Sequence, residues 1–415
     1  MGPITLFDKS FIQSLSLDEA VFFDHFFMPV ICPLFYVETL ADLEKAVRER
    51  RTPEQEVGII ADKVPEMSGA PCAYHMDLGA ASLFGANIPL DGRIPTAGAR
   101  PVKLDGKSGF LHEETPEAQA FRRWQNREFL IVERQFAHVW RRTLNNIDLE
   151  RIATGVRSLG IRPGTCSSLD SAKTLVDDSL AQDGSEAVDQ LNLALFLLEV
   201  SPRYDLQLFG RWASRGRPSL LHFAPYAAHL VAVEMFFRIA LGAGLIGTAD
   251  VNNRTDIGYL FYVPFCHVFV SSDNLHRRCA PHFLRPDQSF VWGHDLKADL
   301  NRLMNYFSGR PDEEKERGLM RLAPTPPLDD HGLIVQLWDR HLLPLWRDHA
   351  SRDAQPRNPE RDAELLAHIN RLQSAPSVSP DAMDFEPTDA EFVQIRRRVS
   401  KRRGAWWQLP KDLQG

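Results

Sequence analysis

The chain has 415 residues, 44% of them hydrophobic, 25% charged and 10% aromatic, which allows two or three domains with real cores and excludes a fibrous or disordered class. Its formal charge of −7 excludes a globally basic nucleic-acid binder, although a local basic surface stays open. Five scattered cysteines (Cys32, Cys72, Cys166, Cys266 and Cys279) form no CxxC pair, so neither a zinc ribbon nor a disulfide framework is expected.

The N-terminal residues show no basic segment followed by an apolar one, so no secretory leader is read and a cytoplasmic location is expected. Ile4-Thr5-Leu6-Phe7 reads as a short buried strand that ends in Asp8, and a helical pattern resumes at Phe11, Ile12 and Leu15. An acid there either caps the next helix or sits where α/β folds hold their ligands. A second apolar run, Val30 to Val37, is interrupted by Pro33 and ends in Glu38, and a helix is expected through Leu40, Leu43 and Val47. Residues 51 to about 115 are Gly- and Pro-rich without clear period, as a functional or covering loop would be.

Residues 117 to 144 read as helix, as do 186 to 199. Residues 223 to 246 are the most apolar window, but His229, Glu234 and Arg238 interrupt it, so a buried core helix is expected and not a membrane span. Ile257 to Phe265 fits a helix face, and His267 to Val270 reads as a third strand that again leads to an acid, Asp273. Beyond about 300 the pattern is helical with acidic and Pro-rich connections. A basic tail, Arg396 to Arg403 with Trp406 and Trp407, then combines charge with stacking groups as single-stranded nucleic-acid binders do; a disordered basic tail is the competing reading.

Three acids after strands, Asp8, Glu38 and Asp273, together with Asp256 at the opening of a helix, would converge if the strands are parallel. Four carboxylates in one cleft repel one another, and a hard divalent cation resolves that repulsion. The ordered pieces LFDKS, YVETLADL, NNRTDIGYLFY and FVSSD resemble the PIN-like domain family. The resemblance covers residues 1–50 and 223–300, with 51–222 as an irregular then helical insertion and 301–415 as a helical extension. It implies an α/β parallel-sheet fold and a metal-dependent nuclease in which Asp8, Glu38, Asp256 and Asp273 hold Mg²⁺ or Mn²⁺. RNA is favoured over DNA as substrate, and a small protein partner or inhibitor is compatible with the family. Asp250 competes with Asp256 for the third acid.

Arg254, His276, Arg277 and Arg278 flank these acids and are candidates for substrate phosphates; the bland alternative is a solvated face. Ser10, Ser271 and Ser272 suit either a helix cap or a bond to a metal-bound water. His75 with Asp77, and His294 with Asp295, read as surface neighbours. Phosphate-loop, dinucleotide and serine-hydrolase motifs are absent from the sequence. Two rivals remain: an Asp8-nucleophile phosphatase, disfavoured because Ser10 stands where a second Asp is wanted, and a non-catalytic PIN-like scaffold.

Overall fold

The computed structural model describes residues 2–45, 51–104, 107–112, 114–342, 345–350, 364, 367–368, 370–371, 374–379 and 404–406. Five short strands form one wholly parallel sheet in the order β3-β2-β1-β6-β7: β1 Ile4–Phe7, β2 Met28–Ile31, β3 Ala70–Pro71, β6 Val268–Ser271 and β7 Ser289–Trp292. The remaining two strands, β4 Ala99–Leu104 and β5 Lys107–His112, make a separate antiparallel hairpin. All four residues of β6 are buried, as the central strand of a parallel sheet covered on both faces requires.

β1 pairs on one side with β2 and on the other with β6, where Thr5, Leu6 and Phe7 lie opposite Val268, Phe269 and Val270. The connection from β1 thus runs one way across the sheet and the late strands are added on the other side. The crevice at the carboxyl ends of β1 and β6 is a topological switch point, the place where open parallel sheets bind ligands. Asp8 follows β1 and Asp273 follows β6, so the two acids flank that crevice.

The Pro225–Gly242 helix is the hub of the helical part. It packs against the Leu149–Ser158, His75–Phe84 and Leu169–Leu180 helices and against the 3₁₀ segment Ile257–Phe265. Tyr226, Val231, Val233, Phe236 and Leu241 are all fully buried there, which accounts for the apolar run without a membrane. Among the described residues no helix is long and apolar enough to cross one.

Several expected boundaries shift. Glu38 does not end a strand: β2 stops at Ile31, and Pro33 opens a helix, Pro33–Ala41, that carries Glu38 on its second turn. Proline is well tolerated in the first turn of a helix and cannot continue a central strand, so the interruption in the apolar run was the start of a helix. The segment read as irregular contributes edge strand β3, the Pro53–Ala61 and His75–Phe84 helices and the hairpin. The boundary expected at residue 300 falls inside the Gly293–Ser308 helix, which packs on the Leu17–Phe26 helix and on β6 and β7. Further on, the Trp338 indole donates to the Phe26 carbonyl at 2.9 Å in the core. Trp406 is buried with its ring edge-on to Phe22 at 5.2 Å, so it is not a free stacking group. Arg396 to Arg403 and Trp407 lie outside the described residues.

Candidate functional site

Asp8, Glu38, Asp256 and Asp273 line one cavity of about 210 Å³ at the carboxyl edge of the sheet. They arrive from four places: the end of β1, the helix after β2, the short Asn253–Asp256 helix, and the turn after β6. Asp250 does not take part. It is exposed, accepts from the Asn252 backbone at 3.0 Å, and lies outside the cavity lining, so of the two it is Asp256 that reaches the cavity.

Asp8 is almost wholly buried and accepts three hydrogen bonds, one at Oδ1 and two at Oδ2. Its Oδ1 accepts from the Phe11 backbone N–H at 2.9 Å, so the capping role is real. Its Oδ2 accepts from Ser10 Oγ at 2.6 Å and Ser271 Oγ at 2.7 Å, and His276 Nδ1 stands 3.4 Å away. Burial alone would push this carboxyl up, but the His276 contact and the two hydroxyls outweigh it and hold the group below its ordinary value. His276 responds in kind. Burial would lower it, yet its bond to Asp8 and the nearby Asp256 bring the imidazole up to about 9, so it is a cation at neutral pH. The same ring is 2.8 Å from Ser271 Oγ through Nδ1 and 2.6 Å from the Asp256 carbonyl through Nε2.

Glu38 and Asp256 stand in the opposite condition. Burial raises the Glu38 carboxyl in spite of Lys9 and of the Tyr259 hydroxyl that donates to its Oε2. Burial and then the charge of Glu38 push Asp256 up to about 8. Asp273 caps the Asn274–Cys279 helix, accepting from the Leu275 N–H at 2.6 Å.

All four of the sequence-predicted phosphate ligands lie outside the cavity lining. His276 is fully buried and belongs to the support of Asp8, so it meets no substrate. Arg254 is 2.5 Å from Glu234 Oε1 and lies over the Phe237 ring. Arg277 sits over Trp292 and Arg278 donates to the Leu245 carbonyl at 2.6 Å. None of these arginines lines the cavity. His75 is not a surface residue either; it is buried, bonds Tyr262 Oη at 2.9 Å through Nδ1, and is held neutral by burial, down to about 3.

The cations at the wall are instead Lys9, Lys45 and Arg141. All three surround a fifth, buried acid, Asp42, at 2.7, 3.9 and 3.8 Å. Asp42 was legible in principle: it lies four residues after Glu38, which on a helix is the same face. Arg141 comes from the Ile131–Asn145 helix, a hundred residues along the chain, and nothing local marks it. Thr255 Oγ1, in the cavity wall, and Ser272 Oγ, next to Asp273, are buried with no hydrogen-bond partner among the described residues.

The donors are hard oxygens of net negative charge beside two orphaned hydroxyls, which in chemistry fits Mg²⁺ or Mn²⁺. In spacing, no three His, Cys, Asp or Glu side chains among the described residues form a group able to hold one ion. The site is therefore a set of donors around one cavity without a closed coordination shell. No family model, curated protein or solved structure matches the chain.

Proposed function

We propose that the protein is a phosphodiester hydrolase that uses Mg²⁺ or Mn²⁺, built on a PIN-like α/β body, with RNA favoured over DNA. The observation that supports it most is the meeting of four carboxylates from four chain segments in one cavity at the switch point of a parallel sheet. Glu38, Asp256 and Asp273, with Asp8 beside them, are the carboxylates an ion entering the cavity would draw on, although as placed no three of them form one coordination group. Such an ion stabilises charge on a phosphodiester in the transition state and lowers the pKa of a bound water.

The chain's own residues divide the remaining work. Asp8 is kept ionised and fixed in direction by Ser10, Ser271 and His276, so it can orient an attacking water. Arg141 and Lys45, at the cavity wall, offer donors to substrate phosphate oxygens. The test is incubation of labelled single-stranded RNA and DNA with Mn²⁺ or EDTA, beside Asp256→Asn and Asp273→Asn. Metal-dependent cleavage by the parent alone is the expected result, and cleavage that survives both substitutions refutes the assignment.

A second reading, a scaffold that binds nucleic acid or a protein partner without cutting it, has one specific observation in its favour. Most of the accepting capacity of Asp8 is already used by Phe11, Ser10 and Ser271, and His276 supplies a positive charge beside it. Binding of the labelled strands without cleavage under every condition would select it.

A further inference from the structure

A larger cavity, about 660 Å³, lies on the far side of the Pro33–Ala41 helix. That helix separates the two: Glu38 and Ala41 face the acid cavity, Tyr36 and Val37 the larger one, and Trp140 touches both. Its volume is that of a small-molecule site. The wall is mainly aliphatic and aromatic, with Tyr36, Tyr74, Phe121, Phe136 and Trp140 contributing rings. Phe136 and Trp140 stack with centroids 6.2 Å apart, and Tyr74 and Phe136 are exposed at 46% and 42%.

Acids outnumber cations around these rings. Glu66, Asp77, Glu114 and Glu117 line the cavity, and among the described residues the one cationic side chain in its lining, Arg122, is paired with Glu114. Asp77 and Glu117 are exposed. Burial is the main reason that the Tyr36 phenol is pushed up to about 12 and the Tyr74 phenol is raised; Glu133 and Glu117 add to the first, against Arg123, and Glu199 and Asp77 add to the second. Aromatic faces and uncompensated carboxylates both attract a positive charge with an apolar body and both repel a phosphate.

We propose that this cavity binds a small organic cation, an alkyl- or arylammonium whose apolar body fills the ring-lined interior while its charge meets Asp77 and Glu117. The inference does not depend on the hydrolase reading, because no residue offered as a ligand of the ion or of the phosphate contributes to it. Aromatic recognition of this kind discriminates a cation from its neutral isostere by roughly tenfold.

The test is calorimetric titration of the full chain with meta-hydroxyphenyltrimethylammonium and with its uncharged isostere meta-tert-butylphenol. The cation is expected to bind about tenfold more tightly. The double substitution Asp77→Asn/Glu117→Gln, at two exposed first-turn positions where an amide keeps the side-chain shape, should remove most of that preference and leave the phenol's affinity unchanged. Phe136→Ala should weaken both ligands. Equal affinity of the two ligands, no saturable binding of the cation, or a preference that survives the double substitution would each overturn the proposal. A preference lost instead in Asp273→Asn would place the cation in the acid cavity and overturn it as well.

Discussion

Two corners of the acid cavity treat negative charge in opposite ways. At the β1–β6 corner, Asp8 is buried but surrounded by two hydroxyls, a backbone N–H and a cationic His276. At the other, Glu38 and Asp256 repel each other, with the Tyr259 phenol and Lys9 beside Glu38, and both are raised from their ordinary values. Burial is the largest influence at both corners; the partners decide its outcome. The first corner is a structural device that a fold can build by itself, and the second is a deficit of positive charge that a ligand can fill.

The strongest way to break this contrast is His276→Ala, which leaves Asp8 buried beside hydroxyls alone. Loss of one member of a buried pair costs about 3–5 kcal/mol, and urea denaturation should show a loss of that size. The pH dependence sharpens the same point. His276 has a folded-state pKa of about 9 against an ordinary 6.5, so its contribution is fully present below 6.5 and is lost as pH rises through about 9. Asp8 is lowered from its ordinary value, so its contribution is present above that value and lost as pH falls through the folded one. Stability measured across pH 6.5 to 9.5 should fall more steeply in the parent than in His276→Ala.

Next in size is the ligand effect at the deficient corner. At a Mn²⁺ concentration about a hundredfold above Kd, binding adds about 2.7 kcal/mol, which thermal unfolding should register as a raised Tm in the parent and not in Asp256→Asn. Ser271→Ala then removes a hydroxyl that touches Asp8, His276 and the Asp273 N–H. Leaving buried groups unsatisfied costs about 1–3 kcal/mol, read by the same denaturation. The smallest effect expected is that of Asp256→Asn on the metal-free protein. A carboxyl pushed up to about 8 is already protonated at neutral pH, so a neutral amide should change stability by less than about 1 kcal/mol. A large loss there would mean that Asp256 is paired like Asp8, and the contrast between the corners would fail.

The legibility of the site follows the range of the interactions that made it. Strands β1 and β6 and the acids after them are local patterns, a short apolar run and then a cap; β1 stands where it was read and β6 one residue further on. The Pro225–Gly242 helix likewise follows from its own composition. Glu38 was identified as a site residue but assigned to the wrong element, because an apolar run of that length suits a strand or a helix until Pro33 is recognised as an N-terminal helix residue. β3 is only two residues long, and β7, as long as β1 and β6 but with one buried residue, lacks their buried run; both exist because neighbouring strands offer them a hydrogen-bonding edge.

The chain's sequence by itself determined the elements with strong local signals and the chemical character of the cavity, since carboxylates placed after parallel strands must share an edge. The tertiary structure alone decided which cations stand beside them. Arg254, Arg277 and Arg278 were near in sequence and turned elsewhere, whereas His276 became buried as the partner of Asp8, and Arg141 arrived from a distant helix. The physical reason is that a charge is placed by desolvation and by its partners in space, and those depend on packing between segments hundreds of residues apart, which no local pattern encodes.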